Sequence, residues 1–95
     1  MLTIDDIKKV IEKIAPEYNL KKVTLFGSRA NGNFREDSDV DLIVEFTTYS
    51  VSLLKIFSLK YKLEEILKVE VDIVHGPIEA DDMIEIEKEI ELYAA

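Results

Sequence analysis

Side chains alternate in character between positions 39 and 46. Val40, Leu42, Val44 and Phe46 fall on one parity, and Asp39, Asp41, Ile43 and Glu45 on the other. Successive side chains of a strand point to opposite faces, so residues 40–46 predict a strand with one apolar face and one face bearing two carboxylates. Two further runs read as strands. Residues 22–26 end abruptly at Gly27. Residues 69–74 place Val69, Val71 and Ile73 on one face and Glu70, Asp72 and Val74 on the other.

Helical periodicity fills the spaces between. Ile4, Ile7, Val10, Ile11 and Ile14 recur at helical spacing, with Thr3 as cap, Asp6 in the first turn and Pro16 as the expected boundary. Residues 28–31 form a short helical turn closed by Gly32, and 33–38 form a polar loop. Ser50 or Ser52 caps a long helix running to about Lys68, with Leu53, Ile56, Phe57, Leu63 and Leu67 among its apolar residues, and Gly76-Pro77 is a turn. Residues 80–93 predict a final helix: Asp81 and Asp82 suit its N-terminus, and Met83, Ile86, Ile90 and Tyr93 make a stripe. Residues 84–92 also partly alternate, so a strand competes there. The expected order is αβαβαβα, an α/β (α+β) arrangement of a small sheet covered by helices.

Composition narrows the function classes. A chain of 95 residues suits one domain, here 1–95, with a single modest core. It contains no cysteine and one histidine, which excludes a disulfide framework, a thiolate zinc site and a cysteine nucleophile, and disfavours a histidine metal site. The longest clean aliphatic run is Leu42-Ile43-Val44, far below the ~20 residues of a membrane helix. The acidic start lacks the basic, apolar form of a signal peptide, so a cytoplasmic protein is expected. Formal net charge is −8, unevenly placed: residues 1–62 carry ten Lys/Arg against nine Asp/Glu, and residues 63–95 carry two against eleven. That balance argues against a protein that coats nucleic acid.

The chemistry-bearing stretch is Leu25-Phe26-Gly27-Ser28-Arg29-Ala30-Asn31-Gly32, followed by Asp37-Ser38-Asp39-Val40-Asp41-Leu42-Ile43-Val44. Gly27, without a Cβ, lets backbone approach a bulky anion. Ser28 offers a hydroxyl and a free N–H at a helix start, a phosphate-binding geometry, or else serves as a plain cap. Arg29 and Arg35 can bond phosphate oxygens, or pair locally with acids. Asp39 and Asp41 project from one face and repel unless a cation lies between them. Hard oxygen ligands beside phosphates suit Mg²⁺. Asp72, in an otherwise apolar strand, would give a third carboxylate and allow two metal ions to flank an in-line phosphoryl displacement. Each has a plainer reading: Asp39 and Asp41 as polar residues at a strand entry, Asp72 on a solvated edge, His75 in a loop.

Gly27-Ser28, ten intervening residues and Asp39-Val40-Asp41 resemble the signature of the DNA polymerase beta nucleotidyltransferase superfamily. The run from Phe26 to Val44 is similar to the minimal nucleotidyltransferase (MNT) branch. The likeness continues through Glu64-Glu65-Ile66-Leu67 to Val71-Asp72-Ile73-Val74 and, more loosely, to Ile90-Glu91-Leu92-Tyr93. The resemblance implies a mixed sheet and Mg²⁺-dependent transfer of a nucleoside monophosphate from a nucleoside triphosphate. Gly27 and Ser28 would hold the triphosphate, and Arg29 remains a nucleotide-binding candidate on its charge alone. Asp39 and Asp41 would bind both metal ions, and Asp72 would complete the first site and help deprotonate the acceptor. Small MNT chains pair with a HEPN-domain ribonuclease toxin and silence it by adenylylating a tyrosine, with ATP as donor, which implies a hetero-oligomer. The short length, the net charge and the lack of a long apolar run separately lead to the expectation of neither direct nucleic-acid nor membrane binding. Two departures are Asn31, where the branch has Arg, and Glu36, where it often has Pro. Losing a basic residue there can weaken nucleotide binding but leaves the carboxylates untouched.

Two other classes remain open. A non-catalytic antitoxin would act by binding alone, which Asn31 favours weakly and the three aspartates oppose. A transferase acting on RNA or a small molecule would borrow a substrate domain from a partner. The acidic surplus in residues 79–91 reads either as a solvated helix face or as a surface for a basic partner.

Overall fold

The computed structural model describes residues 2–32, 35, 38–48, 50–76 and 89–95, and of Asn31 the backbone alone. Helix α1 spans Ile4–Tyr18. Thr3 accepts from the Asp6 N–H, and the Asp6 carboxylate accepts from the Thr3 N–H, so the cap closes reciprocally as the sequence predicts. Pro16 does not end the helix. It lies exposed inside the last turn, and termination falls to Asn19, whose left-handed backbone (φ 55°) lets its N–H reach the Ala15 carbonyl. Strand β1 is Leu20–Phe26 and the short helix α2 is Ser28–Asn31, closed by left-handed Gly32. Strand β2 is Val40–Phe46. Helix α3 spans Leu53–Leu67, with Ser52 accepting from the Lys55 N–H. Strand β3, Val71–His75, starts two residues later than the sequence suggests, because left-handed Lys68 (φ 62°) still belongs to the cap of α3.

The C-terminus corrects the predicted helix over 80–93. Ile90–Ala94 is a strand, β4, and the rest of that prediction, 80–88, lies outside the described residues along with most of the acidic surplus. The alternation seen in 84–92 is the signal that prevails at its end. The physical reason is the sheet edge: β4 pairs antiparallel with β1 and satisfies backbone groups that β1 would otherwise expose, while Leu92 is buried in the core.

Sheet order is β3-β2-β1-β4. Strand β1 is antiparallel to both neighbours, whereas β2 and β3 run parallel. A parallel pair needs a long crossover, and α3 supplies it. The sheet is therefore mixed. Val40, Leu42 and Val44 are fully buried, as are Val23, Leu25 and Val71, which share their face through the registers Val23↔Val44, Leu25↔Leu42 and Val40↔Val71. Ile7, Ile11 and Ile14 of α1 and Leu59, Leu63 and Leu67 of α3 join them in one cluster. The helices thus cover one face. On the other face the register sets Phe26, Asp41 and Asp72 side by side across β1, β2 and β3. No helix among the described residues is long and apolar enough to cross a membrane.

Candidate active site

The site is built where three strand ends meet on the face away from the helices. Asp41 is the second residue of β2 and Asp72 the second of β3, paired in parallel register. Asp39 precedes β2 by one residue and is exposed, as is Asp72, whereas Asp41 is half-buried. Asp41 has its pKa raised above the ordinary 3.8, first by burial, then by the negative charges of Asp72 and Asp39 and a hydrogen bond shared with the Asp72 carboxyl. The carboxylates that sequence spacing grouped are therefore electrostatically coupled in space.

Gly27 closes the opposite wall. Its backbone (φ 78°, ψ −156°) is in a region open essentially to glycine. A Cβ there would collide with the Asp41 carboxylate, whose Cγ lies 3.1 Å from where that Cβ would sit. Glycine is thus required twice, by the turn and by the neighbouring carboxylate. Ser28 follows as the first residue of α2, partly exposed beside the aspartates' strand. Four residues make too short a helix for a strong macrodipole. Within its first turn the Ala30 N–H is already taken by the Gly27 carbonyl at 3.1 Å.

Arg29 is turned inward. It is 2% exposed and donates from Nε and Nη2 to the Ser38 carbonyl at 3.1 and 2.8 Å. The Ser38 hydroxyl in turn accepts from the Arg35 N–H at 2.7 Å, and the Ser38 N–H reaches the Arg35 carbonyl at 3.1 Å. Arg29 therefore fastens the loop directly before Asp39, a task the sequence does not announce. Arg35 is exposed on that loop. His75 ends β3 away from the aspartates and packs edge-on against Phe46, ring centroids 5.5 Å apart.

The sequence reading also missed a network behind Asp72. Glu64 and Lys60, one turn apart on α3, bond both backbone groups of Val71. Only their i, i+4 spacing hinted at it.

Among the described residues no three ligating side chains already converge on one point. The donor set still fits a hard divalent cation. Asp41 and Asp72 are register partners whose negative charges interact, Asp39 adds charge to the same place, and Mg²⁺ commonly takes one or two carboxylates and completes its shell from substrate phosphates and water.

A family model described as "Polymerase beta, Nucleotidyltransferase" matches residues 8–92. A candidate protein adenylyltransferase of Methanocaldococcus jannaschii is 41% identical over 73 residues, 77% of each chain. Protein adenylyltransferase MntA of Thermococcus cleftensis is 35% identical over 78 residues, 78% of each chain. A chain in the solved complex of a tri-AMPylated Shewanella oneidensis HEPN toxin with its MNT antitoxin superposes with a TM-score of 0.71, covering 98% of this chain and 74% of that one. At 18% identity this likeness speaks to the fold.

Proposed function

Since this chain belongs to the polymerase beta nucleotidyltransferase family, we propose that it is a Mg²⁺-dependent protein adenylyltransferase and antitoxin. Residues 1–95 act as one nucleotidyltransferase domain that transfers AMP from ATP to a tyrosine hydroxyl of a HEPN ribonuclease toxin in the cytoplasm. The observation that carries this reading is the Asp41–Asp72 pair, joined by Asp39 and facing Gly27 across one row of the sheet. The names of relatives above 30% identity support the donor and the protein acceptor.

In the transfer, the tyrosine oxygen forms a bond to the α-phosphorus of ATP as the bond to the β-phosphate bridge breaks and pyrophosphate leaves. Asp72 takes the hydroxyl proton. Gly27 lets the phosphate chain lie against backbone, and the Ser28 hydroxyl and N–H orient it. Asp39, Asp41 and Asp72 would hold two Mg²⁺ ions, which supply charge neutralisation for the in-line displacement. Arg29 sets the Ser38–Asp39 backbone and lends positive charge from beneath the loop. Leu53, Leu54, Phe57 and Tyr61 lie exposed along α3, an apolar face suited to a lasting protein partner.

The test incubates the chain with its toxin partner, α-labelled ATP and Mg²⁺. Label on the partner, lost with Asp39→Ala/Asp41→Ala, is the expected result. No label with wild type would favour neutralisation by binding alone, and label on RNA or a small molecule would move the acceptor. Asp72→Asn is expected to lower kcat about 10²–10³-fold, the scale of a lost general base. Its complex with the partner should form with wild-type affinity, measured by titration calorimetry. Near-wild-type turnover would remove Asp72 from the mechanism.

A further inference from the structure

Among the described residues, strand β3 lies at an edge of the sheet, and it is five residues long. Short edge strands fray, yet this one must present Asp72 beside Asp41. Peptide groups in a parallel ladder face alternate sides along the strand. Glu70 faces β2, its carbonyl accepting from the Val40 N–H at 2.8 Å. Val71 therefore faces outward, and both its polar groups are taken by α3. The Val71 N–H donates to Glu64 Oε2 at 3.0 Å, and the Val71 carbonyl accepts from Lys60 Nζ at 2.6 Å. Lys60 and Glu64 also pair with each other at 3.1 Å. The Val71 side chain is fully buried in the core. The residue before Asp72 is thus held on three sides: by the core, by its β2 register and by a two-residue grip from a rigid helix.

We propose that Glu64 and Lys60 are positioning residues that fix Asp72 in register with Asp41 by clamping both backbone groups of Val71. The proposal rests on the reading of Asp72 as a working carboxylate. Among the described residues the grip falls on Val71 and not on Ile73 or His75, the other outward-facing residues of β3, so it is sited for Asp72 and not spread along the edge. The Val71 N–H bond also lowers the Glu64 pKa, ahead of the contribution from Lys60. The plain alternative is an edge cap, which hides free backbone groups from another strand and contributes stability alone.

The two readings separate in a measurement on the full chain with its partner. Metal binding is read directly by the electron paramagnetic resonance of Mn²⁺, independently of turnover. Groups that support metal ligands commonly change affinity or activity by about 10–100-fold when removed. Glu64→Ala is expected to lower kcat about tenfold and to weaken Mn²⁺ binding several-fold, with the KM for ATP within about twofold of wild type. Glu64→Gln, whose amide oxygen still accepts from Val71, should recover most of both. Lys60→Met keeps the Glu64–Val71 bond and should show a smaller loss of the same kind, which carries the test if Glu64→Ala does not fold. An edge cap predicts a lower melting temperature with kcat and Mn²⁺ affinity unchanged per folded molecule, and that result overturns the proposal. If wild type transfers nothing, the adenylyltransferase reading fails by itself. Mn²⁺ affinity then decides: weakened binding in Glu64→Ala upholds the clamp, and unchanged binding ends it.

Discussion

Asp41→Asn is expected to abolish AMP transfer, by about 10³-fold or more, and at the same time to raise the melting temperature at neutral pH. The loss follows from the position of Asp41 between Asp39 and Asp72. A carboxylate that holds metal ions for a phosphoryl displacement contributes several kcal/mol, and ~4 kcal/mol is a factor of about 10³. The gain follows from the same crowding. Burial and the charges of Asp72 and Asp39 raise the Asp41 pKa above 3.8 in the folded chain. The folded state therefore holds the Asp41 proton more tightly than the unfolded state does. Its stabilising contribution is complete below the unfolded value and disappears as pH rises through the folded value. At neutral pH the ionised side chain is a burden that asparagine lacks. Melting curves from pH 3 to 8 should show the two proteins converging in acid and the variant ahead above it. Added Mg²⁺ should close the gap by stabilising wild type alone. A variant that transfers AMP at near-wild-type rates, or melts lower at every pH, would contradict the assignment.

Gly27→Ala is the second large effect. The Gly27 backbone (φ 78°, ψ −156°) costs a residue with a Cβ about 1–3 kcal/mol. The new methyl must also displace the Asp41 carboxylate, which sits on a short side chain with little room to yield. Stability should fall by about 2 kcal/mol, and transfer by about 10²-fold or more, because a misplacement near 1 Å at such a site has that effect. Gly32→Ala is the control. Gly32 also has a positive φ, of 81°, but a Cβ there meets nothing within 4 Å. It should cost about 1 kcal/mol and leave kcat at the wild-type value. Equal losses of turnover in the two variants, normalised to folded protein in denaturant titrations, would show that backbone strain and not the Asp41 contact is responsible.

Much of the architecture was legible because its signals are local. The Val40–Phe46 alternation, the Thr3–Asp6 cap and the Ser52 cap each depend on neighbours within a few residues, and each forms as the pattern predicts. Pro16 misled because the hydrogen bond it removes is the one to the Glu12 carbonyl, and Glu12 and Pro16 both lie on the exposed side, where water can serve that carbonyl. Residues 90–94 misled because the helix stripe and the strand alternation both fit, and the choice lay with β1, nearly seventy residues away, which needed a partner on its open edge.

By itself the sequence determined which residues could do chemistry: two aspartates two apart on one strand face, a glycine-serine turn ten residues before them, and a third aspartate in an apolar strand. Such choices are covalent and periodic, so they survive without a fold. Only the tertiary structure decided the registers that set Asp41 against Asp72, the inward turn of Arg29 onto Ser38, and the hold of Lys60 and Glu64 on Val71. The reason is that register and backbone hydrogen bonding between distant segments are fixed by the packing of the helices on the sheet. That packing is a property of the assembled core and of no single stretch of chain.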